Sequence, residues 1–230
     1  MRTELLGFLD SYITGGLVSI TGSGGKTSLL IALAQHEKAM GKSVLITTTT
    51  KLGAPHLVDY QVNSIYLDDR ILKMHPSRGS VDFLAYPFSS EKVCCPDLEV
   101  LSDAIRQYDI VLCEADGARH MPLKLHRDNE PVVLDQTSAT IAIAGIGNWG
   151  KTVSEENFFN CTSAYDGRII DEKLIGELMI DQNGILKNAK GRTLVLANQA
   201  EGLTVDFSHI RKYFGSIYAS SIKENWIELQ

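Results

Sequence analysis

A chain of 230 residues with 44% hydrophobic and 22% charged side chains has the balance of an ordinary globular protein, long enough to bury a core without disulfides or structural metals. Its formal net charge of −6, with no basic run, argues against a nucleic-acid partner, whose phosphates demand clustered Lys and Arg. No segment approaches the roughly 18 apolar residues of a membrane span, and the opening residues Met1 to Asp10 lack the basic-then-apolar build of a signal peptide. A cytoplasmic protein without a membrane partner is the expectation.

Leu5 to Ile13 reads as a short amphipathic helix closed by Gly15-Gly16, and Leu17 to Ile20 as a buried strand. A glycine-rich turn, Gly22-Ser23-Gly24-Gly25-Lys26-Thr27, follows at once. Ser28 to Met40 carries Leu29, Leu30 and Leu33 at helical spacing and stops at Gly41. Ser43 to Thr50 is the next strand. Strand, turn, helix and strand in that order spell a βαβ unit and therefore a parallel sheet. Beyond it, Asn63 to Leu67 and Val81 to Phe88 are predicted strands and Leu98 to Gln107 a helix. Asp109 to Glu114, Ala139 to Ala144, Thr193 to Ala197 and Ser216 to Ser221 are further strands, with helices at Asp171 to Ile180 and Phe207 to Phe214. Alternation of this kind predicts a three-layer α/β fold, helices on both faces of a mostly parallel sheet, in a single domain over 1–230. Gly145 to Asn160 has no periodicity, so 145–190 is expected to hold a mobile or inserted segment.

The turn at Gly22 has the context of a phosphate-binding loop: backbone N–H groups wrap phosphate oxygens at a helix N-terminus, where the partial charge is positive. Gly22, Ser23, Gly24, Gly25 and Ser28 are candidate phosphate contacts, Lys26 reaches the terminal phosphates, and the Thr27 hydroxyl is a candidate Mg²⁺ ligand. The full GxxxxGK[ST] pattern needs a glycine where Ile20 stands. The shorter spacing resembles the loop of the Mur peptide ligases. The alternative is a glycine-rich turn with an accidental Lys-Thr.

In open α/β sheets ligands sit at the carboxyl ends of the strands, and polar clusters fall there. Thr47 to Thr50 with Lys51 would supply hydroxyls and a cation to Mg²⁺ or the γ-phosphate, Thr49, Thr50 and Lys51 above all. β-branched residues suited to a strand are the plainer reading. Glu114 and Asp116 close an apolar strand, as acids do that hold Mg²⁺ or orient an attacking water. Arg119 and Lys124 would neutralise charge on a transferred phosphoryl group, which with Lys26 and Asp116 completes a candidate catalytic set. Asn198-Gln199-Ala200-Glu201 looks like an altered NKxD base-recognition element; a simple turn is the other reading. His120 and His126 are expected at the surface. The cysteines, with Cys94 and Cys95 adjacent and Cys113 and Cys161 apart, fit neither a disulfide framework nor a CxxC zinc site, and a soft metal or selenium species at Cys94-Cys95 is weighed against inert thiols.

Thr21 to Thr27, Thr47 to Lys51, Glu114-Ala115-Asp116-Gly117-Ala118-Arg119, Pro122-Leu123-Lys124, Glu130-Pro131, Gly184 to Lys187 and Leu196 to Glu201 together resemble the YqeC-type selenium-dependent hydroxylase accessory proteins. The resemblance runs along nearly the whole chain and implies a P-loop NTPase-like fold. It also implies an accessory role in maturing selenium-dependent molybdenum hydroxylases, in selenium or molybdenum cofactor handling. Glu201 stands where that family usually has aspartate, and 151–160 lacks a clear His-Arg pair. Three readings follow: a Mg²⁺-dependent ATP- or GTP-binding maturation factor, an ATP-dependent ligase or kinase, and a nucleotide-binding scaffold without turnover.

Overall fold

The hydrophobic runs at the centre of the chain are apolar without alternation because both faces of the sheet they build are covered. In the computed structural model, which describes residues 1–214 and 216–229, ten strands share one sheet. Numbered in chain order they are β1 (Arg2–Glu4), β2 (Gly16–Gly22), β3 (Ser43–Thr48), β4 (Ser64–Tyr66), β5 (Ser80–Leu84), β6 (Ile110–Glu114), β7 (Thr137–Gly145), β8 (Arg192–Asn198), β9 (Ile217–Ser221) and β10 (Trp226–Glu228). Their spatial order is β1-β10-β9-β8-β7-β2-β6-β3-β5-β4. From β9 to β4 every pairing is parallel, while β10 and β1 add an antiparallel edge. The α/β class and the mostly parallel sheet expected from the alternation are therefore present.

Successive side chains of each strand point to opposite faces, so one run supplies two cores. Val18, Ile20, Val44, Ile46, Ile110, Leu112, Ile141, Ile143, Leu194 and Leu196 face α1 (Leu5–Tyr12) and α2 (Lys26–Ala39), meeting Leu5, Leu9, Leu29, Leu30 and Leu33. Leu17, Leu45 and Val111 face the other way, onto Leu101 and Ala104 of α3 (Leu98–Ile105). Ala142, Ala144, Val195 and Ala197 face α4 (Glu172–Ile180) and α5 (Ser208–Phe214), which bury Leu174, Leu178 and Ile210. Each fully buried Leu or Ile removes enough apolar area to contribute about 1.5–3 kcal/mol, so the three clusters supply the fold's main driving force.

The elements differ from the sequence expectation at their ends. The strand expected over Val81 to Phe88 splits: β5 ends at Leu84, and Tyr86–Pro87 turns away into a small sheet with Lys92–Cys94 and Leu52–Gly53. Asp171 does not join α4 but caps it, its Oδ1 accepting from Leu174 N at 2.8 Å. Thr152 bridges Ile169, Leu123–Lys124 pairs with Phe158–Phe159, and Val153, Phe158, Tyr165 and Ile170 bury against α4. No helix among the described residues is long and apolar enough to cross a membrane.

The sheet divides at β2. The strands beside it on one flank, β6, β3, β5 and β4, come from residues 43–114; β7, β8, β9 and β10 on the other come from 137–228. A parallel sheet that reverses its order about one strand opens a crevice at that strand's carboxyl end. Gly22 leaves β2 there, and the loops after β3, β6 and β8 surround it.

Candidate functional site

Gly22, Gly24 and Gly25 turn the chain from β2 into α2 with φ values of +87°, +87° and +132°, a region L side chains rarely enter. Close approach adds a second requirement. A Cβ on Gly22 would lie 2.1 Å from the Ile143 carbonyl oxygen, and one on Gly24 would lie 2.4 Å from Gly145 Cα. Gly25 caps α2 without a side-chain hydrogen bond, and the first helical bond runs from Leu29 N to Gly25 O at 2.9 Å. The N–H groups ahead of Leu29 therefore have no partner within the helix.

Beneath the turn lies a buried cluster of charges. Lys26 Nζ donates to Gly22 O at 2.7 Å and lies 3.4 Å from Asp116 Oδ1 and 3.8 Å from Glu114 Oε1. The Thr27 hydroxyl donates to Glu114 Oε2 at 2.9 Å. Asp116 Oδ2 accepts from Gly22 N at 3.1 Å and from Lys124 Nζ at 2.8 Å, and His126 Nδ1 stands 3.0 Å away. Lys124 also donates to Gly117 O at 2.6 Å and Glu130 Oε2 at 2.8 Å. Side-chain exposure is 5% for Lys26, 8% for Glu114, 2% for Lys124 and nil for Asp116, so these charges act in a low dielectric.

The two acids respond oppositely to that setting. Burial pushes the Glu114 carboxyl above its ordinary range, outweighing Lys26 and the Thr27 hydroxyl. Burial pushes Asp116 upward too, but Lys26, the His126 hydrogen bond and Lys124 together overcome it and hold its carboxyl at about 2. Burial lowers His126 below its ordinary value despite the neighbouring carboxylate, so it is a neutral imidazole near pH 7. His126 was expected at the surface together with His120. His120 is exposed, but His126 is 1% exposed, because the Leu123–Lys124 strand carries it under Asp116.

The remaining candidates fall on two sides of the cluster. On the β8 flank a cavity of about 730 Å³ takes in Gly24, Gly25, Ser28, Asn198, Gln199 and Glu201. The Asn198 carboxamide is already engaged, donating to Gly24 O at 2.8 Å and accepting from Ile222 N at 2.9 Å. Gln199 is exposed, with φ of +66°, and its side-chain oxygen covers Gly145. On the β3 flank a second cavity, of about 460 Å³, holds Thr49, Thr50, Lys51 and Arg119. The hydroxyls of Thr47, Thr48 and Thr49 donate to the carbonyls of Leu84, Glu114 and Val132 at 2.9, 2.8 and 2.6 Å. Pro122, quoted only for the family resemblance, accepts at its carbonyl from Ser23 Oγ at 2.9 Å and Gly145 N at 2.8 Å, and sequence reasoning missed Arg127, Asn129 and Phe159 in the second cavity.

A divided parallel sheet, with a glycine-rich turn over buried acids at its carboxyl ends, defines an α/β protein with a charged site at the sheet's switch point. The model of the YqeC family, described as "YqeC protein", matches residues 18–162, which include most of β2, the turn, both acids, Lys124 and His126. The chain belongs to the YqeC family. It is 36% identical over 148 residues to the "Uncharacterized protein YqeC" of Escherichia coli (strain K12), a match covering 61% of this chain and 56% of that relative. The matched part thus spans a little over half of the relative's length. No solved structure matches the chain.

Proposed function

We propose that this chain binds a nucleoside triphosphate with Mg²⁺, its phosphates on the Gly22–Thr27 turn and its nucleoside in the cavity beside Gly25, Ser28, Asn198 and Gln199. The observation that carries this is the pairing of Lys26 and Thr27, at the first turn of α2, with Glu114 at the end of the adjacent strand. The donor set fits the ion. Thr27 and Glu114 offer hard oxygen ligands, and Mg²⁺ takes one or two such groups from protein and the rest from phosphate and water. Thr27 and Glu114 would hold the ion, which would supply positive charge against the phosphates.

The chain's own residues divide the work. Lys26 places a cation beside the phosphates. Glu114, whose carboxyl is raised by burial, receives a proton more readily than Asp116 and is the acid that partners Thr27. Asp116, held at about 2, is a poor base, and its bonds to Gly22 N and Lys124, with His126 Nδ1 3.0 Å away, make it the organiser of the turn. Exchange or hydrolysis of the nucleotide would act on Lys26 and on the acids together and so bias the loops after β3 and β6. Such a device suits the accessory role in maturing selenium-dependent molybdenum hydroxylases that the family resemblance implies, with the hydroxylase or its maturation machinery as partner.

Lys26→Ala removes a charge-assisted contact of about 1.5–3 kcal/mol, a ten- to hundredfold loss of affinity. Titrating wild type and Lys26→Ala with fluorescent ATP and GTP, with and without Mg²⁺, measures it. Equal affinity in the two proteins would sink the reading.

A further inference from the structure

The cavity on the β3 flank does not belong to the phosphate turn, and its chemistry is different. Lys51, Arg119 and Arg127 line it. Arg119 and Arg127 lie over the Phe159 ring, 5.6 and 4.9 Å from its centre, and Lys51 lies 3.6 Å from the centre of the Phe88 ring. Among the described residues none of these three cations has a carboxylate within ion-pair distance. The one acid in the wall, Glu130, is already matched by Lys124 at 2.8 Å. The Cys95 thiol adds no negative charge there, since burial pushes it up to about 11. In a chain of net charge −6, a cavity presenting three unmatched cations is a local reversal of sign.

We infer that this cavity binds a small polyanion carrying phosphoryl or carboxylate groups, held by Arg119, Arg127 and Lys51 with Asn129 and Thr50 as neutral partners. Two guanidinium groups held over one ring are pre-oriented, and their planar forks match phosphate and carboxylate oxygens in pairs. The volume of about 460 Å³ suits a metabolite-sized ligand and not a peptide or nucleic acid. Ala115 and Gly117, which flank Asp116, form its inner wall, so the ligand would lie against the same strand end as the buried charge cluster. Binding of the anion stands on the cavity alone. Its role as the second substrate of a nucleotide-dependent reaction rests on the reading given under Proposed function.

The test uses the full chain and two probes, inorganic pyrophosphate and tricarballylate, titrated by calorimetry without Mg²⁺. At least one should bind, weaken about tenfold or more in Arg127→Glu and in Lys51→Glu, and weaken further as salt rises. Arg78→Glu, an exposed cation at the opposite strand ends, should bind as wild type does. All the reversed side chains are exposed, and an unchanged melting temperature checks that each variant folds. Preference for pyrophosphate assigns a phosphoryl ligand, and preference for tricarballylate a carboxylate one. Failure of both probes at about 10 mM, affinity unchanged in both reversals, or binding lost in Arg78→Glu would each overturn the inference. A protein that takes a probe but no nucleotide keeps this site and loses the phosphate-turn reading; the converse keeps the turn and loses this site.

Discussion

The glycine turn is held from its two flanks by different physics. Toward β6 it is held by charge: Gly22 N meets Asp116, Lys26 lies between Asp116 and Glu114, and Lys124 ties Asp116 to Glu130. Toward β7 and β8 it is held by neutral groups: Ser23 N on Ile143 O at 2.8 Å, Ser23 Oγ on Pro122 O, and Asn198 Nδ2 on Gly24 O. Buried charges are costly to place and costly to break. Neutral hydrogen bonds to backbone each contribute about 1 kcal/mol. The charged flank therefore sets the electrostatics of the turn, while the neutral flank sets its shape, and the two are separable by mutation.

Asp116→Ala is the severest way to break that contrast. It leaves Lys26, Lys124 and His126 buried without their common partner, and loss of one side of a buried ion pair costs about 3–5 kcal/mol. Urea denaturation at pH 7 measures this. A change below about 1 kcal/mol would mean that the charges are not coupled to folding.

Acid offers a milder probe of the same flank. The Asp116 carboxyl sits at about 2 in the folded chain against an ordinary 3.8, so it stabilises the fold fully above pH 3.8. That contribution, about 2 kcal/mol, is lost as pH falls from 3.8 toward 2. Glu114 works the other way, since a raised carboxyl costs stability once pH climbs past its ordinary 4.5. His126 adds a loss below its ordinary 6.5, where the unfolded chain takes up a proton that the folded imidazole resists. Urea midpoints between pH 2 and 7 should therefore fall on the acid side. In Asp116→Asn the segment between 3.8 and 2 should flatten, and a curve of unchanged slope there would remove Asp116 from the linkage.

The same division explains what was legible in the sequence. Strand runs such as Ile110 to Cys113 and Leu194 to Ala197 were readable because burial on both faces demands apolar residues in succession. Lys26, Thr27, Glu114 and Asp116 were readable because each sits at a strand or helix terminus, where local order alone fixes position. His126, Arg127 and Phe159 were not, since their placement depends on Leu123–Lys124 pairing with Phe158–Phe159 some 35 residues on, as the registers Leu123↔Phe158 and Lys124↔Phe159 show. The threonines after β3 were readable as polar but not in role, because a hydroxyl serves a backbone carbonyl as readily as a ligand.

Asn198 is the smallest and most discriminating test, because it belongs to the neutral flank and lines the nucleoside cavity as well. Its carboxamide joins Gly24 O to Ile222 N, so it fastens the turn to the segment after β9. Asn198→Ala removes two neutral hydrogen bonds and should cost about 1–2 kcal/mol in urea denaturation, well below Asp116→Ala. If the neutral flank sets only the shape of the turn, the acid dependence of stability in Asn198→Ala should match that of wild type, since no charge has changed. A shifted acid limb would show that the turn's position feeds back on Asp116, because Gly22 N is bonded to that carboxylate and moves with the turn. The two flanks would then be one cooperative unit, and shape and charge at this site could not be tuned apart.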